Sequence, residues 1–515
     1  MDSRSSSSRA EKVTNTLADA AIAHRKGDAV TAKRLYRKVL KAQPGNFKAL
    51  RLSGALAQET GDLDEAIRLL SAAVRHAPAD ETGALEDLSL LYLQTGGQEK
   101  AESLLRRAVA INPASVIALT RLGSTLITCG RGSEAVEVLQ RARDMDPNEP
   151  QVAYALAHAL LESSEFEKAI AAAESALALR PEDPPTLVVK GVALYQLERY
   201  RDAEEVLMQT TSLDARDVNA WIHLGRARLA RGDSPGAIEA FATAAEQAPD
   251  LATVHSQLAN AHNAAGHSEA AIAACDAYLD RHPIAAALIL VKSLALRDAG
   301  RADQADELLG QDSLVMARQI DPPARYDDVA AYNKALERMI RSHPSLAHVH
   351  TNRATRHGIQ TGSLMVDPSP EMRSFERLID ARIRAVKQAL RASAHADHPW
   401  VRHAPSHWFV NAWAVLLGDQ GYQVSHIHPE AWMSGVYYVA TPEDGMGSGH
   451  GEDGWIEFGS PTEQLFAKVP PPTRRLEPKP GLMVTFPSYT FHRTIPFSGQ
   501  TERISIAFDV FAAPD

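Results

Sequence analysis

The chain has 515 residues, too many for one hydrophobic core, so at least two domains are expected. Charged residues at 23% and hydrophobic residues at 45% are ordinary for a globular protein, and a net charge of -10 argues against a general nucleic-acid binder. Two cysteines cannot build a disulfide framework, and no apolar run of about 18 residues occurs, so a cytoplasmic protein without a membrane span is expected.

The start, "MDSRSSSSRAEK", is polar, and residues 1–11 read as a disordered N-terminus. From residue 12 the sequence keeps a beat. A turn residue recurs at Gly27, Gly61, Gly96, Gly130, Ser164, Glu198, Gly232, Gly266 and Gly300, every 34 residues apart from one step of 35. Five residues after each lies an alanine, from Ala32 to Ala305. Proline keeps the same period from Pro44 to Pro283, with Ala215 filling the one gap. The turn residue ends a first helix, the alanine marks a close helix crossing, and the proline stops the second helix. This pattern closely resembles tetratricopeptide repeats, about nine of them over residues 12–312. The resemblance implies an all-α solenoid with a groove for a protein or peptide partner. Asn219, Arg226, Asn260 and Asn263 read either as clamps for a peptide backbone there or as solvated face.

Beyond residue 312 the beat stops. Residues 313–406 read as a helical connector that supports a C-terminal β-domain, with amphipathic helices at 327–344 and 369–394 and loop chemistry in "ATRHGIQTGSLM", 354–365. The pair His348 and His350 reads as structural or solvent-facing. From 407 to 515 short alternating runs are broken by Gly, Pro and Asp: 407–417, 422–428, 433–441, 454–459, 481–487 and 502–511. Many short strands in so few residues point to a jelly roll or sandwich. No glycine-rich phosphate loop and no βαβ alternation is present.

Two histidines in "SHIHPEAWMSGVYYVA", His426 and His428, share one face of a strand because they stand two apart. A third, His492, lies in "FPSYTFHRTIP", and Arg503 and Ser505 follow on one face of "ERISIAF". Two neighbouring ligands and one distant histidine make a facial metal site with open positions. Asn411 and Trp413, with Tyr437 or Tyr438, are candidates to line the pocket, the aromatics reading equally as core packing. The glycine-rich stretch 441–454 reads as a loop beside the mouth, and His450 within it as solvated.

The blocks "HIHPEAWMSGVYYV", "PKPGLMVTFPSYTFH" and "RISIAFDV" resemble the iron(II)/2-oxoglutarate-dependent oxygenases that often follow tetratricopeptide repeats. That resemblance implies a double-stranded β-helix (jelly roll) with flanking helices, iron(II), Fe(II), as metal, and 2-oxoglutarate and O2 as co-substrates. It makes His492 the distal ligand and gives Arg503 and Ser505 the far carboxylate of 2-oxoglutarate, with Tyr437 and Asn411 beside them. The near ligands read either as His426 and His428 or as His428 and Glu430. The first is preferred, because Pro429 turns Glu430 off the strand line. The expected activity is hydroxylation of a protein or peptide side chain delivered by the repeats. The alternatives are a repeat scaffold with a degenerate β-domain, and a metal dioxygenase that does not use 2-oxoglutarate. The latter leaves Arg503 without a role.

Overall fold

Nine helix pairs follow the 34-residue beat among the described residues, from the pair Asp2–Arg25 and Ala29–Ala42 to the pair Ala286–Asp298 and Ala302–Leu309. The computed structural model describes residues 2–348, 354–442, 451–462, 465–499 and 501–513, and the side chains of all of these except 2–10, 347 and 348. Every turn residue of the beat has a left-handed backbone, with φ between 59° at Glu198 and 81° at Gly232. That conformation is free for the seven glycines and strained for Ser164 and Glu198. Every alanine of the beat, from Ala32 to Ala305, is fully buried, so a larger side chain would clash at each crossing. The helix starts are satisfied locally: Asp28, Asn46, Asp62, Ser115, Asp183 and Asp233 each accept a hydrogen bond from a first-turn N–H. The serine-rich start does not break this order, and the first helix takes in Asp2 onward, because serine costs a helix only a few tenths of a kcal/mol.

Packing divides the chain into two units, residues 1–227 and 228–515. The division falls inside the repeats, not at residue 312. The second unit explains why: Ala286, Ile289, Leu290, Leu309 and Leu314 share one apolar core with Phe375, Trp400, Ile506 and Phe508.

Among its described residues the second unit holds ten strands: β1 (Met316–Gln319), β2 (Ala347–His348), β3 (Thr355–Gln360), β4 (Trp408–Gln423), β5 (Met433–Ala440), β6 (Ile456–Phe458), β7 (Arg474–Leu476), β8 (Leu482–Pro487), β9 (His492–Thr494) and β10 (Arg503–Ala512). Seven form a sheet in the order β1-β8-β5-β10-β4-β3-β2, and three form a second in the order β7-β6-β9. All these pairings are antiparallel. One face of the large sheet meets the helices Val329–Arg341 and Pro370–Arg391, where Phe375 lies 5.4 Å from Tyr437. Its other face meets the small sheet, where Val436, Tyr438, Ile456, Phe458 and Phe486 cluster. This is the two-layer arrangement of a jelly roll.

The connector is not purely helical. Residues 355–360, expected as loop, form β3, because pairing with the long β4 outweighs a polar composition. Residues 422–428 do not form a separate strand: β4 ends at Gln423, and beyond it the bridge between His426 and His492 keeps the chain in place.

Between β6 and β7 the chain lies along the last repeats of its own unit. Phe466 N–H donates to Asn260 Oδ1 (3.0 Å), and the N–H groups of Lys468 and Val469 donate to the Asp298 carboxylate (2.9 and 2.8 Å). Asn260 thus accepts a backbone N–H, and the backbone is this chain's own.

Candidate metal centre

His426 and His492 form a narrow antiparallel bridge, each N–H donating to the other's carbonyl at 3.1 Å. The bridge sets their rings 4.2 Å apart, centre to centre. His428 is held by its own N–H on Ser488 O (3.0 Å), and its ring lies 5.1 Å from His426 and 5.2 Å from His492. One nitrogen from each ring falls within 4.8 Å of the others. Every Nδ1 is engaged: His426 on Val424 O (2.8 Å), His428 on Asp509 Oδ2 (2.8 Å) and His492 on Thr490 O (3.1 Å). With Nδ1–H donating, Nε2 is the bare nitrogen on all three rings. Trp413 stacks on His428 (5.8 Å), and Phe486 packs on His492 (4.7 Å).

Burial, with His428 alongside, pushes His426 down to about 4. Burial together with both neighbours pushes His492 well below its usual value. Both imidazoles are therefore neutral near pH 7, the form that ligates metal. Glu430 sits in the turn after Pro429, exposed and apart from the three rings.

Arg503 opens β10 almost fully buried. Its Nη1 donates to Thr494 Oγ1 (3.0 Å) and Gly454 O (3.1 Å), its guanidinium sits 5.0 Å from the Tyr438 ring centre, and Nε has no hydrogen-bond partner. Burial lowers its pKa, partly offset by Tyr438, yet a guanidinium stays charged. Arg503, Ser505 and Asp509 alternate along β10 and line one cavity with the three histidines, Trp413 and Gln423. The cavity is about 30 Å³. That is room for an ion and about one or two waters.

Of the residues placed beside the pocket by sequence, Tyr437 stands on the other face. Tyr437 is on the helix-facing side of β5, its hydroxyl donating to Asn333 Oδ1 at 2.5 Å. Strand parity gives the pocket side to Tyr438 instead. Asn411, the register partner of Asp509, shares the face of Asp509 and Trp413 beside the cavity, though it is not among the residues that line it. The residue that sequence reasoning missed is Asp509. Its signal was its place in the alternation Arg503, Ser505, Ala507, Asp509. His350 and His450 lie outside the described residues, as do the side chain of His348 and most of the loop 441–454.

A family model described as "Putative 2OG-Fe(II) oxygenase" matches residues 411–509, the span from β4 to Asp509. Tetratricopeptide-repeat models match 23–85, 98–159, 56–116 and 188–252, and the model of anaphase-promoting complex (cyclosome) subunit 3 matches 130–210. Tetratricopeptide-repeat models thus match ahead of a segment matched by the model of a putative 2OG-Fe(II) oxygenase. Among curated proteins it is similar to cellulose synthase 2 operon protein C of Komagataeibacter xylinus, 31% identical over 31% of this chain and 12% of that protein. It is also similar to the TPR repeat-containing protein YpiA of Bacillus subtilis, 28% identical over 30% of this chain and 37% of that protein. The chain thus spans well under half the length of these relatives. A solved tetratricopeptide repeat protein from Parabacteroides merdae is 16% identical, with a TM-score of 0.41 over 48% of this chain and 98% of that one. Among the described residues no helix is long and apolar enough to cross a membrane.

Proposed function

We propose that the β-domain is an iron(II)- and 2-oxoglutarate-dependent oxygenase that hydroxylates a protein or peptide side chain brought by the repeats. One observation carries this reading: three imidazoles, each tied at Nδ1 and bare at Nε2, share a cavity with an almost fully buried arginine. The donor set fits a divalent iron, for which neutral imidazole is a suitable ligand. Bound there with 2-oxoglutarate and O2, the metal supplies oxidation of an unactivated C–H bond.

The chain's own residues bind, orient and exclude water. Arg503, with an unpartnered Nε, takes the far carboxylate of the co-substrate, and Ser505 adds a hydroxyl beside it. Val436, Ile456 and Phe486 keep the floor dry. Because 2-oxoglutarate exceeds the cavity, its entry displaces rim residues, of which Trp413 and Gln423 are only partly buried. A cytoplasmic setting accords with two free cysteines, one of them exposed.

The rival reading, a scaffold whose β-domain no longer turns over, draws on the tightness of that cavity. Anaerobic titration with iron(II) and then 2-oxoglutarate separates the two. A visible charge-transfer band on adding the second ligand supports the oxygenase. Metal uptake without the band leaves a metal site that does not chelate 2-oxoglutarate. No metal uptake leaves the scaffold.

A further inference from the structure

Resting on the metal site proposed above, we infer that Asp509 is a positioning residue that gives an all-imidazole site the negative charge its ligands lack, acting through His428. The three Nδ1 contacts are not equivalent. His426 and His492 donate to main-chain carbonyls, which are neutral, whereas His428 donates to a carboxylate. Three neutral imidazoles leave the full charge of a divalent ion uncompensated. An imidazole whose Nδ1–H is held by a carboxylate is the stronger base at Nε2. Asp509 therefore makes His428 the electron-rich ligand of the three.

The carboxylate is built into the sheet for this contact. Asp509 is buried, and its second oxygen accepts from Ser434 Oγ at 2.6 Å. Asp509 and Ser434 are register partners on β10 and β5, two central strands. Among the described residues no lysine or arginine forms an ion pair with it, and His428 is the ionisable group hydrogen-bonded to it. A buried carboxylate without a cation is costly. A divalent ion beyond His428 supplies the missing positive charge. Trp413, stacked on the His428 ring, leaves the carboxylate and the indole to fix the ring plane together.

The test uses the full chain, stripped of metal, and cobalt(II) alone as probe, followed anaerobically by its visible absorption. Two variants divide charge from shape. Asp509→Asn keeps the size and an acceptor for His428 but removes the charge, while Asp509→Ala removes both. Both should weaken cobalt(II) binding, within the roughly 10- to 100-fold range of such outer partners, and both should shift the absorption band. Melting of the metal-free proteins checks that they fold, and Asp509→Asn should melt no lower than the parent because it loses a buried charge. An Asp509→Asn protein with the parent's affinity and band would overturn the inference, because geometry alone would then suffice. A parent chain that takes up no cobalt(II) would sink the metal site itself, a distinct result.

Discussion

Replacing Arg503 by lysine tests the carboxylate clamp where it is most exposed to failure. The guanidinium already spends Nη1 on Thr494 Oγ1 and Gly454 O, and it keeps Nε free. Its planar fork can therefore hold its neighbours and still present two parallel N–H groups to a carboxylate. A lysine ammonium reaches less far and offers one point of charge. Satisfying Thr494 and Gly454 would pull it from the ligand, so at least one charge-assisted hydrogen bond is lost. Such a bond contributes about 1.5–3 kcal/mol, or roughly ten- to hundredfold in affinity. Equilibrium binding of 2-oxoglutarate to the cobalt(II)-loaded protein reads that loss directly. Cobalt(II) affinity, measured first without 2-oxoglutarate, should stay near the parent value, because Arg503 is not among the clustered histidines. Unchanged 2-oxoglutarate affinity would show that Arg503 serves only to join β10 to Thr494. An equal loss of metal affinity would show that the variant damages the site as a whole.

Glu457, on β6, is held by Arg493, Arg475 and the Ser460 hydroxyl at 2.6 Å each; burial alone would raise its pKa, but these contacts outweigh it and bring it down to about 2. A pKa lowered from the unfolded value stabilises above about 4.5 and loses that effect as pH falls toward 2, so the unfolding free energies of parent and Glu457→Gln should differ by on the order of 3 kcal/mol at pH 7 and converge in acid; a constant gap would refute the assignment. Ser164→Gly and Glu198→Gly should each raise stability by about 0.5–1 kcal/mol, because both positions have a left-handed backbone; a lower melting temperature would show that side-chain contacts outweigh the strain. Residues 315–515 alone should aggregate, because they lack Ala286, Ile289, Leu290 and Leu309 from the shared core, whereas 218–515 should elute as a folded species; a well-behaved 315–515 fragment would refute this.

Most of the solenoid was legible because each repeat is a local unit: turn glycine, crossing alanine and stopping proline act within one helix pair. The three histidines and Arg503 were legible because side chains two apart share a strand face. What stayed hidden depends on pairing between distant segments. Tyr437 and Tyr438 differ by one pleat, and only the pairing of Ser505 with Tyr438 and Ile506 with Tyr437 decides which faces the pocket. Asp509 reads as an ordinary strand residue until His428, 81 positions away, is brought to it. β3 has the composition of a loop because it draws its order from pairing with β4 rather than from its own sequence.

The strap at Phe466–Val469 bears on how such a chain can vary across generations. Repeat arrays lengthen and shorten by duplication and loss of whole units, and each 34-residue block normally tolerates this because it touches only its neighbours. Asn260 and Asp298 break that freedom, since each receives backbone N–H groups from the far side of β6. A block gained or lost between them would move one anchor by a full repeat and leave the strap without its pair of acceptors. Among the described residues, blocks before residue 228 carry no such tie within their own unit. Natural and engineered variation in repeat number should therefore fall in the first unit, while the units bearing Asn260 and Asp298 are inherited as one piece with the β-domain.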